Sequence, residues 1–267
     1  MDEKLIPEIF RYEKAIAPAN CIHMISPSMI NKFFSYPKMY YEEEIAKTKP
    51  RDFQGNTASV MGTICHHVYK CVANKEPISK VEGQSDRDYV NEQLDLFATL
   101  KPELQLDVDD IKVNWPLVSM AVVNQYILPN SVGRILTEYK IQCEISDNVY
   151  IGGTFDRLEG DCLIDFKNVS QKPSNTETIP FEYKIQLLAY AWMLRKKGHE
   201  VNRIRVVYGV KPTKTIEARC YPVTETIDYV ADKLINDTLQ LITESIVICK
   251  NRPELIHLIF KSMELKK

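Results

Sequence analysis

The stretch Gly152 to Asn168, GGTFDRLEGDCLIDFKN, restricts the fold more than any other part of the chain. Gly160-Asp161 suits a two-residue hairpin connection, because glycine in first place accepts the positive φ such turns require. The flanking runs then fold back as paired strands, and Asp156 falls opposite Asp165. Directly opposed side chains sit about 4.5–5.5 Å apart at Cβ. Lys167, two residues past Asp165, points to the same face. Two carboxylates about 5 Å apart repel by roughly 3 kcal/mol at an effective dielectric of ~20. A proton, a cation or both would relieve that repulsion. The reading we favour is a divalent ion held by oxygen ligands, with Lys167 beside it.

The tripeptide acid-x-Lys is uninformative alone, since it occurs six times: Asp2-Lys4, Asp110-Lys112, Glu138-Lys140, Asp165-Lys167, Glu182-Lys184 and Glu264-Lys266. Asp165-Lys167 differs because it interrupts an apolar run (Cys162, Leu163, Ile164, Phe166), where a charge needs a reason. Elsewhere such an acid is ordinarily part of a solvated face.

A chain of 267 residues, 45% hydrophobic and 26% charged, can bury one large core. Its net charge of −2 does not announce a polyanion-binding protein, so any basic surface must be local. The opening MDEKLIPEIF lacks the basic and apolar regions of a signal peptide, and no apolar run approaches membrane-spanning length. Seven scattered cysteines with no CxxC pair read as reduced thiols, and the expected location is the cytoplasm.

Along the chain, residues 1–24 read as a loose lead-in with short helical pieces. Ser26-Pro27 starts a helix that runs to Pro37, and a second covers Lys38 to Ala46. A polar loop, Thr48 to Thr57, precedes a helix from Ala58 to Ala73. Gly62 and His66 share a face of that helix. A glycine inside a helix costs about 1 kcal/mol against alanine, which implies that something packs close to its backbone. A lone histidine there is usually a satisfied core residue; His66 gains interest only because the hairpin acids need further ligands. Helices Arg87–Leu100 and Asp107–Leu128, the latter with a kink at Trp115-Pro116, form an insert over about 74–130. A strand follows at Arg134–Ile145, carrying Glu138, then the hairpin, a helix Phe181–Lys197, a strand Arg203–Val210 and a long helix Thr224–Cys249. Gln186 and Tyr190 lie one turn apart on the Phe181 helix. A short helical tail follows Pro253. The order helix, three strands, helix, strand predicts an α/β fold with a mixed central sheet between helices, in one domain over 1–267 with a lead-in of about 57 residues.

Between Lys184 and Lys214 stand eight basic residues, with Glu200 the only acid among them. Lys184, Arg195, Lys197, Arg203 and Arg205 are thus candidates for a polyanion footprint. Alternatively, Arg195 to Lys197 only decorates a helix C-terminus.

In order, SPSMINKFFSYPKMYY, GTICHHVY, GGTFDRL with CLIDFKN, and YKIQLLAYAWML resemble the RecB-type branch of the PD-(D/E)XK nuclease superfamily over roughly residues 25–210, interrupted by the insert. The resemblance implies a restriction-endonuclease-like core and a deoxyribonuclease using one or two magnesium or manganese ions. By that resemblance His66, Asp156, Asp165 and the Phe166 carbonyl are metal ligands, Lys167 is the catalytic lysine, and Gln186 and Tyr190 form a motif beside the DNA backbone. Glu138 corresponds to an additional acid on the first core strand. The sequence departs from iron–sulfur members: Tyr36 stands where they carry a cysteine, and only Cys249 lies near the end. No iron–sulfur cluster is expected. What remains resembles a free-standing phage or mobile-element exonuclease acting in recombination or repair, working on DNA and with a single-strand annealing protein as a partner, in the host cytoplasm if phage-encoded. A sequence- or structure-specific endonuclease and a non-catalytic DNA-binding module of the same fold are the alternatives. A structural zinc site from Cys65, His66, His67 and Cys71 fits poorly, because adjacent helical side chains diverge.

Overall fold

The computed structural model describes residues 6–11, 17–48, 55–133, 135–228 and 230–255. Its centre is a mixed sheet of six strands: β1 (His23–Ile25), β2 (Ile135–Ser146), β3 (Val149–Glu159), β4 (Cys162–Val169), β5 (Arg203–Val210) and β6 (Arg219–Thr226). β1 pairs with β3 and β4 with β5 in parallel, while β2–β3, β3–β4 and β5–β6 are antiparallel. Helices α1 (Pro27–Ser35), α2 (Pro37–Tyr40), α3 (Thr57–Asn74), α4 (Asp86–Leu100), α5 (Val108–Val122), α6 (Phe181–Lys196) and α7 (Ala231–Asn251) surround it. Short π-helical stretches extend α2 to Ile45 and α5 to Ile127. Among the described residues no helix is long and apolar enough to cross a membrane.

Each face of the sheet seals a separate core. Leu163 of β4 and Ile204 and Val206 of β5 pack with residues of α1, α6 and α7, whereas Cys162, Ile164 and Phe166 pack with α3, α4 and α5. The alternating side chains of β4 thus serve both layers, which is why its sequence is almost continuously apolar. α6 is buried from Leu187 through Leu194, as expected of a helix apolar on all sides.

The hairpin forms as its sequence demands. Gly160 takes φ of +56°, and Arg157–Ile164, Leu158–Leu163 and Glu159–Cys162 pair in the register fixed by the Gly160-Asp161 turn. Ser26 and Pro27 open α1, and Asn56 caps α3 through a reciprocal bond with Ser59.

Two strands escape the sequence pattern. β1 has three residues, too few for periodicity to register. β6 occupies Arg219–Thr226, part of which the sequence assigns to a long helix from Thr224; α7 begins only at Ala231. Within β6 only Val223 is buried, so alternation is weak, and Pro222 is tolerated because β6 is the last strand of the sheet. Residues 49–54 of the Thr48–Thr57 loop, Arg134, and the tail beyond residue 255 lie outside the described residues.

Candidate active site

The site forms where the sheet splits. One edge of β3 is covered by β2 along its length, while its other edge pairs with β1 at Val149–Ile151 and with β4 only at Arg157–Glu159. Between those two contacts, Gly152 to Asp156 has no strand neighbour on that edge among the described residues. Tyr190 fills part of the gap, its hydroxyl donating to the Thr154 carbonyl at 2.8 Å. Gly153 makes room for it, because a Cβ there would run into the Tyr190 oxygen.

Asp156 stands at the split. The β2–β3 ladder lapses between the Thr137–Arg157 and Tyr139–Phe155 pairs, where Glu138 and Asp156 face each other. Glu138 has φ of +49°, a left-handed conformation that costs a non-glycine residue of order 1–3 kcal/mol and concentrates at functional sites. Phe155 and Leu158, three apart, pack into the same core, so strict alternation slips at this point. The β3–β4 ladder stops one step short of the Asp156–Asp165 pair; the Phe166 amide donates instead to Asp156 Oδ2 at 2.7 Å. Glu138, Asp156 and Asp165 therefore come from three adjacent strands at one level of the sheet.

α3 supplies the fourth side. His66 Nδ1 lies 3.5 Å from Asp156 Oδ1 and 3.8 Å from Glu138 Oε1, and its Nε2 lies 3.0 Å from the Phe166 carbonyl oxygen. His66, Glu138 and Asp156 present ligand atoms all within 4.8 Å of one another. Asp165 is turned to Lys167, whose ammonium lies 2.8 Å from the carboxylate and 5.2 Å from the centre of the Tyr183 ring. His66, Glu138, Asp156, Phe166 and Lys167 lie along a groove of about 860 Å³ that follows α3.

The electrostatics follow from crowding and burial. Burial disfavours the His66 imidazolium, but the Asp156 and Glu138 carboxylates outweigh it and hold the proton up to about 9. Burial raises Asp156, with His66 opposing and Glu138 reinforcing the shift. Asp165 is pushed up to about 6, mainly by burial and against the pull of Lys167. Lys167 loses by burial but gains more from Asp165 and Asp156, so its proton is held more firmly than usual.

The donor set suits a hard divalent cation. Carboxylates and a backbone carbonyl are hard oxygen donors for a divalent cation, with one imidazole beside them and no thiolate in the set. His66 turns Nδ1 toward the two carboxylates and Nε2 toward the Phe166 carbonyl, so its ring stands between the two kinds of oxygen donor. The zinc alternative does not assemble: Cys65 is buried with its thiol toward the Trp115 carbonyl at 4.0 Å, while Cys71 and His67 contact each other at 3.7 Å.

Of the residues singled out from sequence, His66, Glu138, Asp156, Phe166 and Lys167 line the groove together, with Asp165 behind Lys167. Tyr190 is buried, bracing β3 through the Thr154 carbonyl, and Gln186 is half-buried one turn before it on α6. The basic set is placed elsewhere. Lys184 pairs with Glu225, Arg195 with Asp232, Arg203 with Asp161 at the hairpin turn, and Arg205 lies 3.9 Å from Glu159. Lys197 is exposed just past the end of α6. None of these five lines the groove; Arg203 and Arg205 stand opposite Cys162 and Ile164 of β4. The groove's own cations are Arg11, Lys70, Lys80, Lys140 and Lys167. In the sequence Lys140 is only one of six acid-x-Lys tripeptides, and Lys70 stands outside any basic run. The available signal was position: Lys70 lies four residues after His66, and Lys140 two after Glu138.

The fold built around this cleft is the restriction-endonuclease-like α/β core. The chain belongs to the PD-(D/E)XK nuclease superfamily, whose sequence profile matches residues 24–252. A protein from Eubacterium rectale, given as a candidate exonuclease, superposes with a TM-score of 0.51 at 12% identity, covering 90% of this chain and 88% of its own. LHK-Exo in complex with dAMP aligns at 16% identity and a TM-score of 0.34, over 74% of this chain and 93% of its own. A phage-related exonuclease from Haemophilus somnus aligns at 12% identity and a TM-score of 0.33, over 83% and 96%. No curated protein sequence matches significantly.

Proposed function

We propose that the protein is a magnesium- or manganese-dependent deoxyribonuclease that hydrolyses phosphodiester bonds from DNA ends. The observation that carries this reading is the convergence of His66, Glu138, Asp156 and the Phe166 carbonyl beside a lysine–carboxylate pair in an open groove. His66, Asp156, Asp165, Glu138 and the Phe166 carbonyl would hold one or two cations. A bound divalent ion there supplies an acidified water and neutralises charge on the phosphate. Asp165 and the Tyr183 ring hold the Lys167 ammonium over the groove, where it orients the attacking water and offsets negative charge as the phosphate is attacked. Tyr190 keeps the unpaired stretch of β3 in place, so that Asp156 presents its carboxylate correctly. Lys70 and Lys140 meet the phosphate backbone without reading bases.

Action at ends, rather than internally, rests on the RecB-type motif order and agrees with the candidate exonuclease fold neighbour. A place in recombination or repair, beside an annealing protein, follows from the same motifs. The test uses end-labelled linear and closed circular DNA with magnesium, manganese or chelator. Metal-dependent release of nucleotides from linear DNA alone is expected. Cutting of closed circles replaces the exonuclease with an endonuclease, and salt-sensitive binding without cleavage leaves a DNA-binding module. Asp165→Ala and Lys167→Ala should each abolish cleavage while sparing DNA binding.

A further inference from the structure

An interior helical glycine ordinarily answers one of three needs: a positive φ, a close neighbour, or a bend. Gly62 answers none of them. It lies within the continuous helix α3 and is not among the residues with positive φ. Apart from its chain neighbours and the backbone of its own helix, no atom of the described residues comes within 4 Å of where its Cβ would be. Alanine would fit and would favour the helix, so the chain keeps open space there without any return inside the fold.

That space lies in the groove. Gly62 lines it together with Ala58, Thr63, Thr154 and Lys140, and His66 follows one turn later on the same face of α3. The groove continues along α3 to Lys70 on the far side of the carboxylate cluster. A strand whose scissile phosphate sits beside His66 must cross α3 one turn to either side, at Gly62 or at Lys70. Lys70 offers a cation to a phosphate, and Gly62 offers bare backbone to a group that needs close approach.

We propose that Gly62 is a positioning residue for substrate: the deoxyribose backbone of a single DNA strand packs directly on α3 there, and the missing side chain is what admits it. The inference rests on the nuclease reading and adds the path of the strand. The substrate class is a single strand, or the single-stranded end of a duplex, because the approach is to one flat helix surface at the floor of a groove.

Gly62→Ala and Gly62→Val test it with an end-labelled oligonucleotide, by fluorescence anisotropy in calcium and by cleavage in magnesium, alongside thermal melts. Gly62→Ala should melt no lower than wild type and bind about tenfold more weakly, with Gly62→Val weaker still, and the loss should fall on KM more than on kcat. Wild-type binding and KM in Gly62→Ala, with cleavage intact, overturn the inference alone. A wild-type protein that neither binds nor cuts DNA with magnesium or manganese overturns the nuclease reading, and this inference with it.

Discussion

Asp165→Asn should make the protein more stable and inactive at once. The Asp165 carboxyl is raised from 3.8 to about 6, with burial the largest cause. A carboxyl raised on folding contributes stability that is fully present below its unfolded value and is lost as pH rises through its folded one. At about 1.36 kcal/mol per unit, carrying the charge at pH near 8 costs the fold about 3 kcal/mol. That figure is already net of the attraction of Lys167, which pulls the carboxyl the other way. Asparagine keeps the shape and never ionises. With an unfolding entropy of about 2.1 cal/mol/K per residue, the gain in this chain corresponds to a melting temperature about 5 °C higher. The assay is a pair of melts in chelator, one near pH 8 and one near pH 4. Asp165→Asn should exceed wild type in the first, match it in the second, and show no cleavage with either metal. A variant that melts below wild type near pH 8 refutes the reasoning, because Asp165 would then be a structural ion pair rather than a charge held at a cost.

Cation binding should release protons, because His66 keeps its proton up to about 9 in the cation-free protein; titration calorimetry near pH 8 in buffers of different ionisation enthalpy should show about one proton per ion, with affinity rising as pH rises toward 9. No buffer dependence would contradict the His66 assignment. Glu138→Gly should relieve the left-handed strain at φ +49° and melt no lower than wild type, yet bind manganese at least about tenfold more weakly; unchanged affinity would remove Glu138 from the ligand set. Gly153→Ala should destabilise by about 1–3 kcal/mol through collision with the Tyr190 hydroxyl, and Tyr190→Phe in the same chain should recover part of that loss in denaturant melts. Equal losses in the single and double variants would show that the two do not compete for one space.

The hairpin was legible because its turn and its charges are local facts: Gly160-Asp161 fixes the register, and register alone places Asp156 opposite Asp165. Its split was not legible. Nothing in the residues announces that the ladder stops one pair early, that β1 and β4 share an edge of β3, or that Tyr190 fills the gap from a helix thirty-odd residues away. The part of Glu138 depended on a backbone conformation, and no side-chain pattern encodes φ. The basic run from Lys184 to Lys214 shows how tertiary pairing changes a sequence pattern. It is conspicuous in sequence, but folding brings Glu225, Asp232, Asp161 and Glu159 to its members, and those acids lie far from them in the chain. β6 was misassigned for a simpler reason, since an edge strand with one buried residue offers almost no periodic signal.

The central claim is that a divalent cation sits among His66, Asp156, Glu138 and the Phe166 carbonyl. An anomalous difference map from crystals soaked in manganese tests it directly. A peak against the His66 ring and the Asp156 carboxylate, lost in Asp156→Ala, is expected. A peak elsewhere with this position blank, or one that survives loss of the Asp156 carboxylate, contradicts it.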